Sequence, residues 1–355
     1  MTTVATGFHL LTVGAVDRLT HDAVALTFDV PHDLADTFVF RAGQHLTLRR
    51  ELGGEDLRRT YSVCASAVTG PLRVAVKRLE GGVFSNWVLD EVAVGDALEV
   101  MPPAGRFGPH LSAERHRRYG LVAAGSGITP VLSIAASVLD AEPASEVALL
   151  YGNRTSLDVM FLEELSDLKD RYPARLQVLH VLSREEQPSE LLSGRLDRPR
   201  LERLLATVVP FGSVDEWYLC GPFGMVTDAR EALVAVGAEH VHVELFHADA
   251  PPPRPARPVS EAGETTVVAL LNGRTSTLTM NRDRKVLDAV LAVRGDAPYA
   301  CRGGVCGTCR ARVVVGAVEM EVNYALEPEE LAAGVVLTCQ SHPTTDQVEL
   351  EFLGG

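Results

Sequence analysis

Two rhythms of apolar positions divide the first 250 residues. From residue 8 to about 111 the apolar positions fall in short alternating segments: Val24-Ala25-Leu26-Thr27-Phe28, His45-Leu46-Thr47-Leu48 and Leu72-Arg73-Val74-Ala75-Val76. Gly, Pro and Asp separate them. A period of two punctuated by turn residues predicts an antiparallel β-barrel. From Tyr119 the rhythm becomes apolar strand, loop, amphipathic helix. Strands are expected at 120–124, 147–151, 176–182, 217–220 and 241–246, with helices such as 160–172 and 225–236 between them. That alternation predicts a parallel sheet flanked by helices.

A third regime follows Ala248-Asp249-Ala250-Pro251-Pro252-Pro253-Arg254-Pro255-Ala256-Arg257-Pro258, a proline-rich, semi-rigid linker by composition. Beyond it, Val267–Leu271, Asn272-Gly273 and 275–280 predict a hairpin on a type I′ turn. A helix at 284–293 and strands near 310–315 and 348–352 complete a small sheet gripping one helix, a β-grasp. The expected organisation is an antiparallel β-barrel at 1–112, an α/β domain at 113–248, a linker at 249–264 and a β-grasp domain at 265–355.

Composition narrows the functional classes. A chain of 355 residues is too long for one such domain, and 46% hydrophobic residues is ordinary for a globular protein. A formal net charge of −14 argues against nucleic acid or an anionic membrane surface as partner. The sequence has no apolar run of membrane-spanning length, and its start, Met-Thr-Thr-Val-Ala-Thr-Gly, lacks a basic region followed by an apolar one. Of the six cysteines four fall in one pattern, and Cys64 and Cys220 need not pair, so a reducing cytoplasm is expected.

That pattern is Cys301-x4-Cys306-x2-Cys309 with a distant Cys339, the spacing of plant-type [2Fe–2S] ligands. Each iron needs two thiolates besides the bridging sulfides, and Gly303, Gly304 and Gly307 let the loop wind around them. A structural zinc site is the competing reading, but zinc loops usually come as paired CxxC knuckles.

Three further motifs carry chemistry. Arg59-Thr60-Tyr61-Ser62 is followed some twenty residues later by Gly81-Gly82-Val83-Phe84-Ser85. Together they offer a cation for a pyrophosphate, an aromatic face, a hydroxyl and a small-residue backbone, which is what a flavin needs. Ala124-Gly125-Ser126-Gly127-Ile128-Thr129-Pro130 ends an apolar strand and opens a helix, a place for a second pyrophosphate. It lacks the third glycine of the dinucleotide fingerprint, and a plain strand-to-helix turn is the bland alternative. Tyr218-Leu219-Cys220-Gly221-Pro222-Phe223-Gly224-Met225 would put Cys220 at the carboxyl end of a parallel strand, where open sheets bind ligands; a buried core cysteine is the alternative.

In this order, RxYS, GGxxS, GSGITP, CGP and a C-terminal cluster motif, the chain resembles the ferredoxin–NADP reductase superfamily over essentially its whole length. Val76-Lys77-Arg78, Ser85-Asn86-Trp87, Leu98–Pro103 and the run Asn323–Pro328 leading to Leu337–Pro343 are more particular. They resemble the reductase components of phenylacetyl-CoA epoxidases, with reductases of Rieske-type steroid oxygenases similar in layout.

The resemblance implies roles at matching positions. Arg59, Tyr61, Ser62, Val76, Lys77, Gly82, Val83 and Ser85 would hold FAD, with FMN used by some relatives. Gly125, Gly127, Thr129, Pro130, Gly221 and Met225 would line the nicotinamide-nucleotide cleft. Cys220 would lie near the reacting carbon, and Phe246 in Glu244-Leu245-Phe246 would close the flavin face. Arg184 and Arg195 match positions that contact a 2′-phosphate. With Arg154, which stands where an acidic ribose ligand would otherwise be, they favour NADPH.

A nicotinamide gives two electrons at once, a cluster accepts one, and a flavin handles both. The implied order is NADPH, FAD, [2Fe–2S] and then an oxygenase component, most simply a di-iron epoxidase. A redox-sensing electron-transfer module is the alternative from another class, but no basic patch or recognition helix accompanies it. Glu163 and Glu164 are expected on a solvated surface. His240, His242 and Glu244 share one strand face, a conceivable metal triad or simple rim polars. Glu319, Glu321, Glu327, Glu329 and Glu330 are candidates to meet a basic patch on the oxygenase.

Overall fold

The computed structural model describes residues 7–209, 211–246 and 263–353. Its contacts separate into two compact units, one built on the two N-terminal sheets and the other on the C-terminal sheet. All but the last two residues of the expected linker, 249–264, lie outside the described residues.

In the first unit β1 (His9–Thr20), β2 (Ala23–Asp29), β3 (His45–Leu52), β4 (Glu55–Ser62), β5 (Arg73–Lys77) and β6 (Ala97–Val100) form a sheet in the order β4-β3-β6-β1-β2-β5. β1 pairs antiparallel with β2 and β6, and β2 with β5. The two ends of the order meet in a bridge between Val63, just past β4, and Val74 of β5, which closes the barrel. Alternation sends Val24, Leu26, Phe28, Val74 and Val76 into the barrel core. On the reverse of the same strands stand Ala23, Ala25 and Ala75, packed in one core with the helix that follows β7. Between β5 and β6 the glycine motif does not stay a loop. After Gly81, at φ +70°, the chain winds into α1 (Val83–Glu91), which buries Phe84 and Val88 against the barrel.

The second sheet is parallel throughout. β7 (Arg118–Ala124), α2 (Ile128–Ala141), β8 (Glu146–Asn153), α3 (Leu162–Arg171), β9 (Leu176–Leu182), α4 (Arg198–Thr207), β10 (Glu216–Cys220), α5 (Phe223–Ala235) and β11 (Val241–Glu244) give the order β11-β10-β7-β8-β9. The sheet therefore switches direction between β7 and β10, whose carboxyl ends are the expected ligand crevice. The helix expected at 160–172 starts only at Leu162, because Phe161 sits in the left-handed region at φ 60°. α4 was not anticipated; Asp197 caps it by accepting from the Arg200 N–H.

A polar seam joins barrel to sheet. The Asp140 carboxylate on α2 accepts from Ser66 Oγ, Thr69 Oγ1 and Tyr172 OH, each at 2.7 Å. Ser133 Oγ donates to the Ala65 carbonyl, and Ser137 Oγ accepts from the Ala67 N–H, both at 2.8 Å. Glu164 is not simply solvated: it accepts from Arg73 of β5 at 3.2 Å.

The second unit holds β12 (Glu264–Leu271), β13 (Arg274–Asn281), α6 (Val286–Leu291), β14 (Arg310–Val315), β15 (Val318–Met320), α7 (Pro328–Ala332), β16 (Val335–Leu337), β17 (Ser341–Pro343) and β18 (Gln347–Phe352). The main sheet runs β13-β12-β18-β14-β16, with β12 and β18 parallel and the other pairs antiparallel. Asn272 (φ 52°) and Gly273 (φ 73°) make the expected I′ turn. α6 puts Val286, Leu287, Ala289 and Val290 into the core beneath the sheet.

Candidate redox site

The cysteine loop is shaped by three left-handed residues, Arg302 (φ 54°), Gly304 (φ 79°) and Gly307 (φ 66°). The first is not a glycine, and its position is tied down. Gln340 Nε2 donates to its carbonyl at 2.7 Å, while its guanidinium lies 4.6 Å from the Tyr299 ring and 3.3 Å from Asp288. Thr338 donates through both N–H and Oγ1 to the Cys309 carbonyl, at 3.2 and 3.0 Å, which brings the distant Cys339 beside Cys309. N–H groups of Gly303 and Thr308 point at the sulfurs of Cys301 and Cys306, at 3.4 and 3.5 Å.

The four sulfurs fall into two couples, Cys301 with Cys306 and Cys309 with Cys339, each joined by a thiol hydrogen bond. Within a couple the shared proton lowers one thiol, Cys301 or Cys339, and raises the other, burial adding to the rise. Among the described residues no three His, Cys, Asp or Glu side chains gather closely enough to hold one metal ion. Two couples of two thiolates are the donor set of a two-iron centre and not of a single zinc.

In the first unit the motifs converge at the switch point. β10 lies beside β7, and Cys220 is in register with Ala123 on one side and Glu244 on the other. A Cβ at Gly127 would collide with the Cys220 carbonyl, and one at Gly221 would lie 2.5 Å from Met225 Cε and 3.1 Å from the Ala124 nitrogen. Gly125, at φ +54°, faces open space. Thr129 is buried and donates to the Ser126 carbonyl at 3.0 Å, and Pro130 is buried with it, so both shape the start of α2.

Ser62 at the end of β4 reaches this point from the barrel: its Oγ donates to Glu244 Oε1 at 3.0 Å. Burial pushes Glu244 up to about 8, so near neutrality it holds a proton. Cys220 is fully buried, and burial keeps its thiol protonated. Phe246 is partly buried against the same core. The pattern of residues 240–244 suggested rim polars or a metal triad. In the structure Glu244 faces Ser62, and His242 stacks on Tyr218 at 4.7 Å. Glu244, by its spacing a candidate metal ligand or rim polar, is instead set by the fold against Ser62, 182 positions earlier, a pairing with no local signal.

Around the barrel motif, Arg59 is exposed and donates to the Arg58 carbonyl, at 2.8 Å. Tyr61, Phe84 and Trp87 form an aromatic row with centroids 6.0 and 5.4 Å apart. α1 has no side-chain cap at Gly82, so its first N–H groups, beginning at the exposed Val83, are open to an anion. Ser85 Oγ accepts from the Leu79 N–H and donates to the Gly82 carbonyl, which fixes the turn. Val76 points into the barrel core, and Lys77 lies 3.5 Å from Asp22. Arg154, Arg184 and Arg195 are all exposed and enter no ion pair among the described residues. The Arg184 N–H donates to the Arg154 carbonyl, setting those two side by side.

The acidic candidates near the cluster divide. Glu330 is buried and bonded to Arg310 at 3.0 Å; Glu321 lies 2.9 Å from both Lys285 and His342; Glu327 caps α7. These three hold the fold together, which leaves Glu329 and Glu319 at the surface.

Comparison with known proteins agrees with this layout. Residues 11–108 match an oxidoreductase FAD-binding domain, 121–231 an oxidoreductase NAD-binding domain, and 269–344 a 2Fe-2S iron-sulfur cluster binding domain. One of the polypeptides of 1,2-phenylacetyl-CoA epoxidase from Escherichia coli (strain K12) is 47% identical over 349 residues, 98% of each chain. The chain is a ferredoxin reductase-type oxidoreductase with a 2Fe-2S domain. This reductase is also 38% identical to the ferredoxin reductase component of 3-ketosteroid-9-alpha-monooxygenase from Rhodococcus rhodochrous, over 97% of its own length. Phthalate dioxygenase reductase shares its fold, at a TM-score of 0.60 and 24% identity over 98% of both chains. It is an electron-transfer component of monooxygenase systems. No helix of the described residues is long and apolar enough to cross a membrane.

Proposed function

We propose that this reductase draws electrons from NADPH and delivers them through FAD and a [2Fe–2S] centre to a di-iron phenylacetyl-CoA epoxidase. The observation that carries the partner is the 47% identity to a component of such an epoxidase across 98% of both chains. Reductase for a Rieske-type steroid hydroxylase is the second reading, favoured by the 38% identity to the ketosteroid component. Purified protein, the other epoxidase components, phenylacetyl-CoA, NADPH and oxygen test it together. Substrate-dependent NADPH oxidation is expected; its absence, with brisk turnover alongside a Rieske oxygenase, moves the assignment to the second reading.

The bound cofactors supply conversion of a two-electron donor into single-electron deliveries; the chain's residues bind and orient. Arg59 and the uncapped first turn of α1 at Gly82 and Val83 offer charge and N–H donors to a flavin pyrophosphate, with Tyr61 beside the ring. Ser62 and Glu244 hold a proton between a hydroxyl and a carboxyl at the reacting edge. Gly125, Gly127 and Gly221 keep side chains out of the nucleotide crevice, with Met225 beneath it. Cys220 stays a thiol there, and Phe246 covers the flavin face. Cys301, Cys306, Cys309 and Cys339 ligate the irons in the two couples described.

The choice of NADPH rests on Arg154, Arg184 and Arg195, three exposed cations without an acidic partner among the described residues. Arg184→Ala should lower kcat/KM for NADPH roughly tenfold, the worth of one charged hydrogen bond, and leave NADH nearly unchanged. A wild-type preference for NADH, or an unaltered ratio in the variant, rules the assignment out.

A further inference from the structure

The segments that follow β8 and β9 run side by side at the carboxyl edge of the parallel sheet. The Ser183 N–H donates to the Asn153 carbonyl at 2.9 Å, and the Arg184 N–H to the Arg154 carbonyl at 2.7 Å. A third segment passes the same place, because the Gly194 N–H donates to the Leu182 carbonyl at 2.8 Å. Neighbouring backbone thus carries Arg154, Arg184 and Arg195, each exposed and without an ion pair among the described residues. Glu185 stands next to Arg184, yet it too pairs with no cation among the described residues. Its Oε2 instead accepts from both the N–H and the Oγ of Ser156, at 2.7 and 2.9 Å. Those donors hold the carboxyl below its ordinary range, so near neutrality it is an anion. A backbone N–H and a hydroxyl that converge on one oxyanion suit a phosphate oxygen as well as a carboxylate.

We propose that Glu185 sets nucleotide selectivity by holding the Ser156 donors against the 2′-phosphate, which must displace the Glu185 carboxylate to reach them. The inference rests on the reading of Arg154, Arg184 and Arg195 as contacts of the 2′-phosphate and deepens it. One N–H and one hydroxyl hydrogen cannot serve two anions at once, and a phosphate brought to the same donors also repels the carboxylate. The cost falls only on the nucleotide that carries the 2′-phosphate; the one without it leaves Glu185 on Ser156. Glu185 therefore works opposite to the arginines. They attract the phosphate, and it limits how tightly the phosphate is kept.

The test titrates two probes, adenosine 2′,5′-bisphosphate and adenosine 5′-monophosphate, into the purified holoprotein by calorimetry. In Glu185→Gln, which keeps the size and removes the charge, the ratio of their affinities should shift about tenfold toward the bisphosphate, the worth of one hydrogen bond to a charged group. In a Ser156→Ala background, with no hydroxyl to hand over, the same substitution should gain about threefold or less, because the two residues act as a pair. A ratio left unmoved by Glu185→Gln, or moved toward the monophosphate, overturns the proposal. So does a gain that persists in full with alanine at 156, since charge alone would then account for it. The wild-type ratio is a separate readout. Equal affinity for the two probes withdraws the choice of NADPH, whereas the shift in Glu185→Gln, measured against wild type, still decides the role of Glu185.

Discussion

Cys306→Ser is expected to abolish electron delivery to the oxygenase while NADPH still reduces the flavin at close to the wild-type rate. The loss should exceed the ~100-fold that removal of an outer partner of a metal ligand can bring, since a ligand itself is gone. Cys306 is one of the Cys301–Cys306 couple, and one iron would be left with a single good thiolate. Tyr61, Ser62, the glycine motif at 81–85 and the nucleotide motifs lie in the other compact unit, with its own cores, whereas Arg58–Thr60 group with the cysteine unit. Stopped-flow bleaching of the flavin by NADPH and steady-state reduction of the oxygenase, measured on one preparation, separate the two steps. Flavin lost together with the cluster would show that the units do not hold their cofactors independently. Undiminished reduction of the oxygenase would show that electrons leave from the flavin.

The second large effect is expected at Glu244. Its carboxyl is raised to about 8 by burial, the Ser62 hydrogen bond pulling weakly the other way. Above that pH the group becomes an anion beside the proposed flavin site, where reduction would add negative charge, so flavin reduction should slow as pH climbs through about 8. Glu244→Gln keeps a neutral polar group of the same size and should remove that limb. It should also lower the rate at neutral pH by roughly 10²-fold if the carboxyl moves a proton in the step, the low end for general acid–base catalysis. A pH profile unchanged by the substitution discards the role.

The same shift has a sign in stability. In the unfolded chain the carboxyl titrates near its ordinary 4.5, so between 4.5 and about 8 the folded state holds a proton that the unfolded state has released. The contribution is full below 4.5 and is lost as pH rises to about 8, on the order of 2–4 kcal/mol. Denaturant titrations should show wild type losing stability across that window and Glu244→Gln losing much less.

Much of the fold was legible because it is locally encoded. Asn272-Gly273 can hardly be anything but a I′ turn, and the three close cysteines fix a loop whatever surrounds it. What escaped was long-range. Glu244 looks like one more polar residue at a strand end until β4 brings Ser62, 182 positions earlier, within 3.0 Å of it. Glu330 reads as surface charge until β14 places Arg310 against it. α1 hid behind two glycines, whose turn chemistry is real but ends at Gly82. Arg302 in a left-handed conformation has no local signal, since the contacts of Gln340 and Tyr299 that hold it come from elsewhere in the chain.

The alanines on the outer faces of β2 and β5 bear on how such reductases can be recombined. Ala23, Ala25 and Ala75 pack in one core with α2 and the rest of the nucleotide sheet's face, and the Asp140 seam adds a polar fit to it. A barrel transplanted onto a foreign nucleotide sheet would meet side chains of the wrong size and leave Ser66 and Thr69 without the Asp140 carboxylate. Chimeras cut near residue 112 should therefore express poorly. Cuts within the proline-rich run at 251–258, which trade only the iron–sulfur module, should give soluble proteins with altered choice of oxygenase.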